Sequence, residues 1–415
     1  MAIVFDSDAG TITGISVGGL PDGVVDAGTL ATNAVTAAKL TTDSVTAAKI
    51  AANSVDSAEL VDGAVDDSHM ASISGRRNII INGAMNFWQR ATSFSVSDNI
   101  YTADRFLTEF SGLGAFTISR STDAPNGFGY SYKIDCTTAD ASPSAGDMLQ
   151  IFNLIEGYDA QGVKKGTSDA RTLTLSMWVK SNKTGNMQVN LRDANSRMCG
   201  GTYTINSADT WEYKTITYAA DTSGAIANDN TTELRLEMPV GSGSTWNSGS
   251  VPTAWETTAN GDRNAGGTIN LADSTSNYLN ITGIQLELGS TATDFEYRSY
   301  GEELALCQRY YQILVDGGAD KAIGIGFYWS SNEVDYTHRF VTDMRASPTL
   351  EQVIGNAYYR VSAAGDNFNG FSGIQYTSTR SCNMYISSNV SGTAGFASDI
   401  RSRNAASFIA FTAEL

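Results

Sequence analysis

NYLNITGIQLELG, residues 277–289, alternates apolar and polar side chains twice over. Leu279 and Ile281 share one face, and Ile284, Leu286 and Leu288 share one face, but the parity slips at Gly283. Successive side chains of a strand point to opposite sides. A slip of one residue at a glycine, inside an otherwise regular run, therefore predicts a β-bulge. The same two-residue period recurs in RTLTLSMWVKS (171–181), with Leu173, Leu175, Met177 and Val179 on one face. It recurs in NMQVNLRD (186–193), with Met187, Val189 and Leu191, and in TELRLEMPV (232–240), with Leu234, Leu236 and Met238. Half-buried strands joined by Gly- and Asn-rich loops predict an antiparallel sandwich or jelly roll over 75–300.

Composition agrees with an all-β chain. The 415 residues hold 40 Gly, 6 Pro and abundant Ser, Thr and Asn, which favours short strands and turns over helix bundles. Acidic residues outnumber basic ones, 44 to 27, and no Lys/Arg cluster is present, which argues against nucleic acid as a partner. Cys136, Cys199, Cys307 and Cys382 are far apart and form no CxxC, so they read as free thiols of a protein made in a reducing cytosol. The first twenty residues lack the basic and apolar regions of a signal peptide, and no stretch reaches the length of a membrane span. The expectation is assembly in a cytoplasm without membrane insertion.

Residues 21–74 follow a different rule. Leu20, Leu30, Leu40, Ile50, Leu60 and Met70 stand ten apart, with Val25, Val35, Val45, Val55 and Val65 midway between them. A five-residue step turns a helix by roughly 140° and flips a strand, so neither element buries these residues on one side. Each repeat must alternate conformation. Thr36–Lys39 and Thr46–Lys49 read as a cap with one helical turn, and Asp56-Ser-Ala-Glu59 has capping-box spacing. One turn is not stable alone. Such repeats must bury their apolar residues on neighbours or other chains. A parallel homotrimer does so, with Val25, Leu30, Val35, Leu40, Val45, Ile50, Val55, Leu60 and Val65 as its core and Lys39, Lys49 and Glu59 outside.

Units such as SVTAAKIA resemble those of bacteriophage tail fibres, which are typically parallel homotrimers, and the opening MAIVFDSDAGTITGISVGGLPDG resembles the N-terminal segment of fibres from marine podovirus-like phages. NGAMNFWQR, LTLSMWVKS, TGIQLELG and ATDFEYRSY look like the edge and core strands of jelly-roll modules related to carbohydrate-binding families. Phage fibres commonly carry such a module followed by a short helix like EELALCQRYYQIL. The resemblance spans most of residues 1–315 and implies an N-terminal end that attaches to other tail or baseplate proteins.

ELALCQRYYQIL places Leu304, Cys307, Tyr311 and Leu314 at helical spacing, which predicts a connecting helix over 301–315 with Cys307 buried in it. Residues 316–415 read as a second antiparallel β domain whose last strand is tied into a sheet. MRASPTL within it resembles a recurrent segment of phage fibre tips.

HExxH, Walker and Rossmann patterns are missing, and there are only two histidines. His69 reads as a solvated stalk residue or, in a trimer, one of three on an axis; His338 reads as a sheet-surface residue. Glu156, Asp159, Glu233 and Glu237 are the carboxylates that a glycosidase would need to pair. Sugar recognition asks for flat aromatic faces with amides and carboxylates around them. Trp246 and Trp255 lie in a polar loop (241–267), where they either stack on a glycan or pack down as lids. Tyr328 and Trp329 in FYWSS are the second pair, one facing the core and its neighbour facing out.

The whole reads as an all-β, non-enzymatic, homotrimeric virion fibre. Residues 1–20 attach to the particle, 21–74 form the repeat stalk, 75–300 the jelly roll, 301–315 a short helix and 316–415 a β tip. The expected function is attachment to the host surface, with polysaccharide or lipopolysaccharide as partner and no cofactor or metal. The alternatives are a polysaccharide depolymerase tailspike and a purely structural fibre or decoration protein.

Overall fold

The structure is a computed structural model. It describes Val4–Asp6, Asp8, Thr11–Thr13, Val35, Thr36, Leu40, Ser44, Val45, Thr46, Ile50 and residues 76–415. The chain divides into two compact units, Met1–Met70 and Ala71–Leu415. In the first, Val4–Asp6 pairs antiparallel with Thr11–Thr13. Val35, Leu40, Val45 and Ile50 are 46–53% exposed in the single chain, as their five-residue spacing requires. Val25, Leu30, Val55, Leu60, Val65, His69 and the turns expected around Lys39, Lys49 and Glu59 lie outside the described residues.

The second unit is nearly all β. Two six-stranded antiparallel sheets form its larger part. One runs Glu256–Thr257, Arg197–Ile205, Gly185–Asp193, Thr232–Ser242, Met148–Glu156, Phe106–Ser111; the other runs Glu212–Tyr218, Leu173–Ser181, Tyr278–Leu288, Ser131–Thr138, Ala115–Ser121, Ser93–Ser95. The side chains that set the period in the sequence fill the space between them. Leu173, Leu175, Met177, Val179, Met187, Val189, Leu191, Leu234, Leu236 and Met238 are all buried in one core. Each such burial contributes about 1.5–3 kcal/mol relative to exposure.

The bulge expected at Gly283 is present. The register of Tyr278–Leu288 on Leu173–Ser181 shifts between Thr282 and Gln285, and Gly283 adopts φ 62°. A Cβ there would come within 2.7 Å of the Phe128 ring, so no other residue fits. The bulge also changes the strand's partner. Before it, Tyr278–Ile281 pairs with Ser131–Thr138. After it, residues 78–83 take that edge: Ile79 N–H donates to Leu286 O (2.8 Å) and Ile284 N–H to Gly83 O (3.0 Å).

The helix expected over 301–315 is shorter. It covers Tyr300–Gln308, with a capping box between Ser299 and Glu302, and Cys307 is buried on it as expected. Tyr311 and Leu314 lie instead in the strand Tyr311–Asp316. Tyr311, Ile313 and Val315 fit a two-residue period as well as Tyr311 and Leu314 fit a helical one. Pairing with Phe408–Thr412 gives the strand hydrogen bonds that an isolated extra turn would lack.

Phe408–Thr412 is the central strand of a three-stranded sheet completed by Thr349–Gln352. That sheet packs on the inner face of a seven-stranded one, ordered Asp366–Phe368, Tyr359–Val361, Ala397–Ser402, Ala322–Ser330, Glu333–Arg339, Ser381–Ile386, Gly373–Gln375. His338 belongs to this core side, which corrects its reading as a sheet-surface residue. Its ring stacks on Phe411 at 4.8 Å and meets Phe340 edge-on, and burial pushes its pKa down to about 4. All four cysteines are buried free thiols. Arg309 makes a bidentate pair with Glu156, and Glu414 pairs with the buried Arg105, so the tip part is bolted to the sandwich.

Candidate functional site

The strand Ala322–Ser330 decides which tip aromatics meet solvent. Its register against Ala397–Ser402 shifts between Ala322 and Gly324, which puts Ile323 inside and Ile325 outside. From there the alternation is regular. Gly326 and Tyr328 point inward, and Ile325, Phe327 and Trp329 point outward, 75%, 40% and 66% exposed. Gly326 is required: a Cβ would stand 2.9 Å from Ile400 and 2.8 Å from Asp335 O.

Ile325 and Phe327 lie mid-sheet, and Trp329 stands at the strand's end, where the register shifts before the turn to Glu333. Phe327 pairs with Asp335 on one flank and Ala397 on the other, Ile325 pairs with Asp399, and Asp335 pairs with Tyr385. Phe327 and Trp329 meet edge-on at 6.4 Å. Asp335 is 7% exposed, and its Oδ1 accepts no hydrogen bond among the described residues. A carboxylate oxygen left without a donor beneath an aromatic strip costs free energy in the free protein.

Of the four aromatic residues expected to bind, only Trp329 is presented as an open face. Tyr328 is 2% exposed, its hydroxyl donating to Asp366 at 3.2 Å, so it is a core residue; this corrects its expected role. Phe327, the third aromatic of FYWSS, shares the outward face with Trp329.

Trp246 and Trp255 are half-buried and held as lids. Trp246 Nε1–H donates to Gly146 O (3.1 Å) under the guanidinium of Arg263, 4.9 Å from the ring centre. Arg263 is itself buried, bonded to Glu237 (3.2 Å) and Gln150 (2.8 Å) on the sheet below. Trp255 Nε1–H donates to Ala219 O (2.8 Å), and its ring packs on the core beneath the Lys165 ammonium at 4.4 Å. Stacking on a sugar would require each ring to give up these contacts.

The acidic candidates are individually engaged. Glu156 is bound by Arg309, Asp159 lies 2.6 Å from Arg76, and Glu233 accepts from Ala227 N–H (3.0 Å) and Thr231 Oγ1 (3.1 Å). Glu237 is clamped between Arg263 and Arg192. Among the described residues no cluster of His, Cys, Asp or Glu has the makings of a metal site, and no helix is long and apolar enough to cross a membrane.

Its structural neighbours include a phage tailspike domain and carbohydrate-binding modules. The tailspike structure is the enzymatically active domain of bacteriophage CBA120 tailspike protein 4, at 11% identity and TM-score 0.28; the alignment covers 51% of this chain but 21% of that one. TmCBM61 in complex with β-1,4-galactotriose matches at 7% identity and TM-score 0.25, over 51% of this chain and 99% of that one. A family 11 carbohydrate-binding module from Clostridium thermocellum, with a mixed-linked tetrasaccharide, matches at 8% and 0.25, over 49% and 100%. No family model and no curated protein matches.

Proposed function

We propose that the chain is the subunit of a homotrimeric bacteriophage tail fibre that attaches to a host surface glycan through the outward Ile325–Phe327–Trp329 face. The observation that carries this reading is the outward row of Ile325, Phe327 and Trp329, with Trp329 66% exposed at the end of a central strand. A large ring held open on a rigid scaffold is a cost in solution and an asset for stacking on the C–H face of a sugar. Val35, Leu40, Val45 and Ile50, each about half exposed in one chain, support association of the repeats. Three copies of a weak site then act together by effective concentration.

In this proposal the fibre is a virion component assembled in the host cytoplasm. Its N-terminal segment contacts other tail or baseplate proteins, the glycan is polysaccharide or lipopolysaccharide, and the protein is not an enzyme. The engaged state of Glu156, Asp159, Glu233 and Glu237 supports the last point, since each would have to break a strong contact to act. The test is adsorption of the full-length fibre to host cells. Trp329→Ala should reduce adsorption while Trp246→Ala and Trp255→Ala retain it wherever they fold. Shortening of the glycan during incubation would favour the depolymerase reading, and indifference to host cells would favour a purely structural fibre.

A further inference from the structure

A recess beside the start of the helix Tyr300–Gln308 shares no lining residue with the tip face. Residues 82–87 form one wall and residues 295–303 the other, and the volume is about 240 Å³. The walls meet because the Gly283 bulge gives the strand edge to residues 78–83, which brings Asn82 beside the start of the helix Tyr300–Gln308. Asn82 and Met85 both take left-handed backbone conformations, φ 62° and 58°, to turn around the cavity. Two left-handed residues that are not glycine in one short turn are costly and persist only where the surroundings over-determine them.

Two tyrosines stand open at this recess, Tyr297 at 61% and Tyr300 at 71% exposure. Neither is loose. Tyr300 lies on the buried Phe87 ring at 4.8 Å, and Tyr297 is braced by Phe295 at 5.0 Å and Phe128 at 5.5 Å. Between them runs a polar network centred on Arg298. Its two terminal nitrogens are spent on Ile80 O, Asn78 O, Glu296 and Glu303, while its buried Nε–H has no acceptor. Burial acts to raise the Glu296 carboxyl, but N–H donors from Arg77 and Asn78 and the Arg298 charge outweigh it and hold the group ionised. Asn86 adds an exposed amide at the rim.

We infer that this recess is a second sugar site, one that takes a single neutral pyranose through stacking on Tyr297 and Tyr300 and hydrogen bonds to the exposed Asn86 amide. Size limits the ligand to one ring, because sites for drug-sized ligands occupy about 300–1,000 Å³. Chemistry selects the ring. Two rigid aromatic faces suit C–H surfaces. The exposed Asn86 amide, both donor and acceptor, suits hydroxyls. Two carboxylates against one guanidinium disfavour an anionic sugar. The inference does not depend on the tip face binding anything.

The test is saturation-transfer NMR and titration of the full-length chain with methyl glycosides of glucose, galactose, mannose and N-acetylglucosamine, with methyl glucuronide as the charged control. At least one neutral glycoside should bind in the millimolar range, and the glucuronide at least tenfold more weakly than methyl glucoside if glucose is that ligand. Tyr300→Ala should weaken binding tenfold or more, and Tyr300→Phe, which keeps the ring, should stay within twofold of the parent. Trp329→Ala should leave the affinity unchanged. Silence from all four neutral glycosides, equal affinity in Tyr300→Ala, or loss in Trp329→Ala would each overturn the site. The last result would transfer the binding to the tip, whereas failure of the tip to bind cells would leave the Tyr300 result standing.

Discussion

Trp329 and Tyr328 are adjacent, similar in size and opposite in consequence. Trp329 hides about a third of its surface. A tryptophan can bury up to ~250 Å², so Trp329→Ala forfeits about 80 Å², or at most ~2 kcal/mol at 25 cal/mol/Å². Tyr328 is fully buried and its hydroxyl is bonded to Asp366, so Tyr328→Ala opens a cavity in the tip core and should cost about 3–5 kcal/mol. Binding should show the reverse order once folding is accounted for. If Trp329 provides ~1.4 kcal/mol of stacking per site, each site weakens tenfold, and a trimer engaging three sites weakens up to about a thousandfold. Two measurements check this: the urea unfolding midpoint of each variant, and adsorption of the folded fraction to host cells. Tyr328→Phe serves as the conservative control, because it keeps the core volume. The reasoning fails if Trp329→Ala is the more destabilised variant, or if it adsorbs like the parent while remaining folded.

The remaining expectations concern the stalk, the bulge, the thiols and pH. Val45→Asp with Val55→Asp should convert a trimer to monomers in analytical ultracentrifugation, since each change would bury three carboxylates around one axis; a monomeric parent would refute the trimer. Gly283→Ala forces a Cβ into a left-handed residue and into the Phe128 ring, and should lower stability by about 2 kcal/mol or more in denaturant unfolding. Thiol labelling should count no reactive cysteine in the native protein and four after unfolding without reductant; Cys382, pushed up to about 11 by burial, should be unreactive at neutral pH. His338 has its pKa lowered from 6.5 to about 4 by burial, so it stabilises the fold fully above pH 6.5 and loses that contribution as pH falls towards 4. The melting temperature of His338→Gln should therefore fall less steeply than that of the parent between pH 6.5 and 4.

Strand faces were legible wherever one side of a strand is buried, because a two-residue period has no other economical cause. Gly283 was legible for the same reason: it interrupts the period and is the residue that tolerates the resulting backbone. YYQIL was not, since Tyr311, Ile313 and Leu314 satisfy both periods and only the partner strand Phe408–Thr412 decides between them. Tyr328 and Trp329 split into one inward and one outward residue as the two-residue period requires, but a register shift at Ile323 decides which is which, and such shifts depend on a neighbouring strand. The lid contacts of Trp246 and Trp255 were foreseen as one of two options and not as the outcome. The recess beside Tyr300 had no local signature, because its walls lie about two hundred positions apart and meet only through the edge that the bulge frees.

Glu414 closes a buried ion pair with Arg105 across 309 positions of chain. A ribosome adding ~5–20 residues per second needs roughly 15–60 s to travel that distance. Throughout that interval the guanidinium must stay hydrated, and the sandwich lacks the partner that makes its burial tolerable. Biosynthesis therefore imposes an order: repeats first, sandwich strands next, final closure last. A chain cut short by even a few residues would keep an uncompensated charge at the junction, which marks it as incomplete to any cellular machinery that surveys exposed surface.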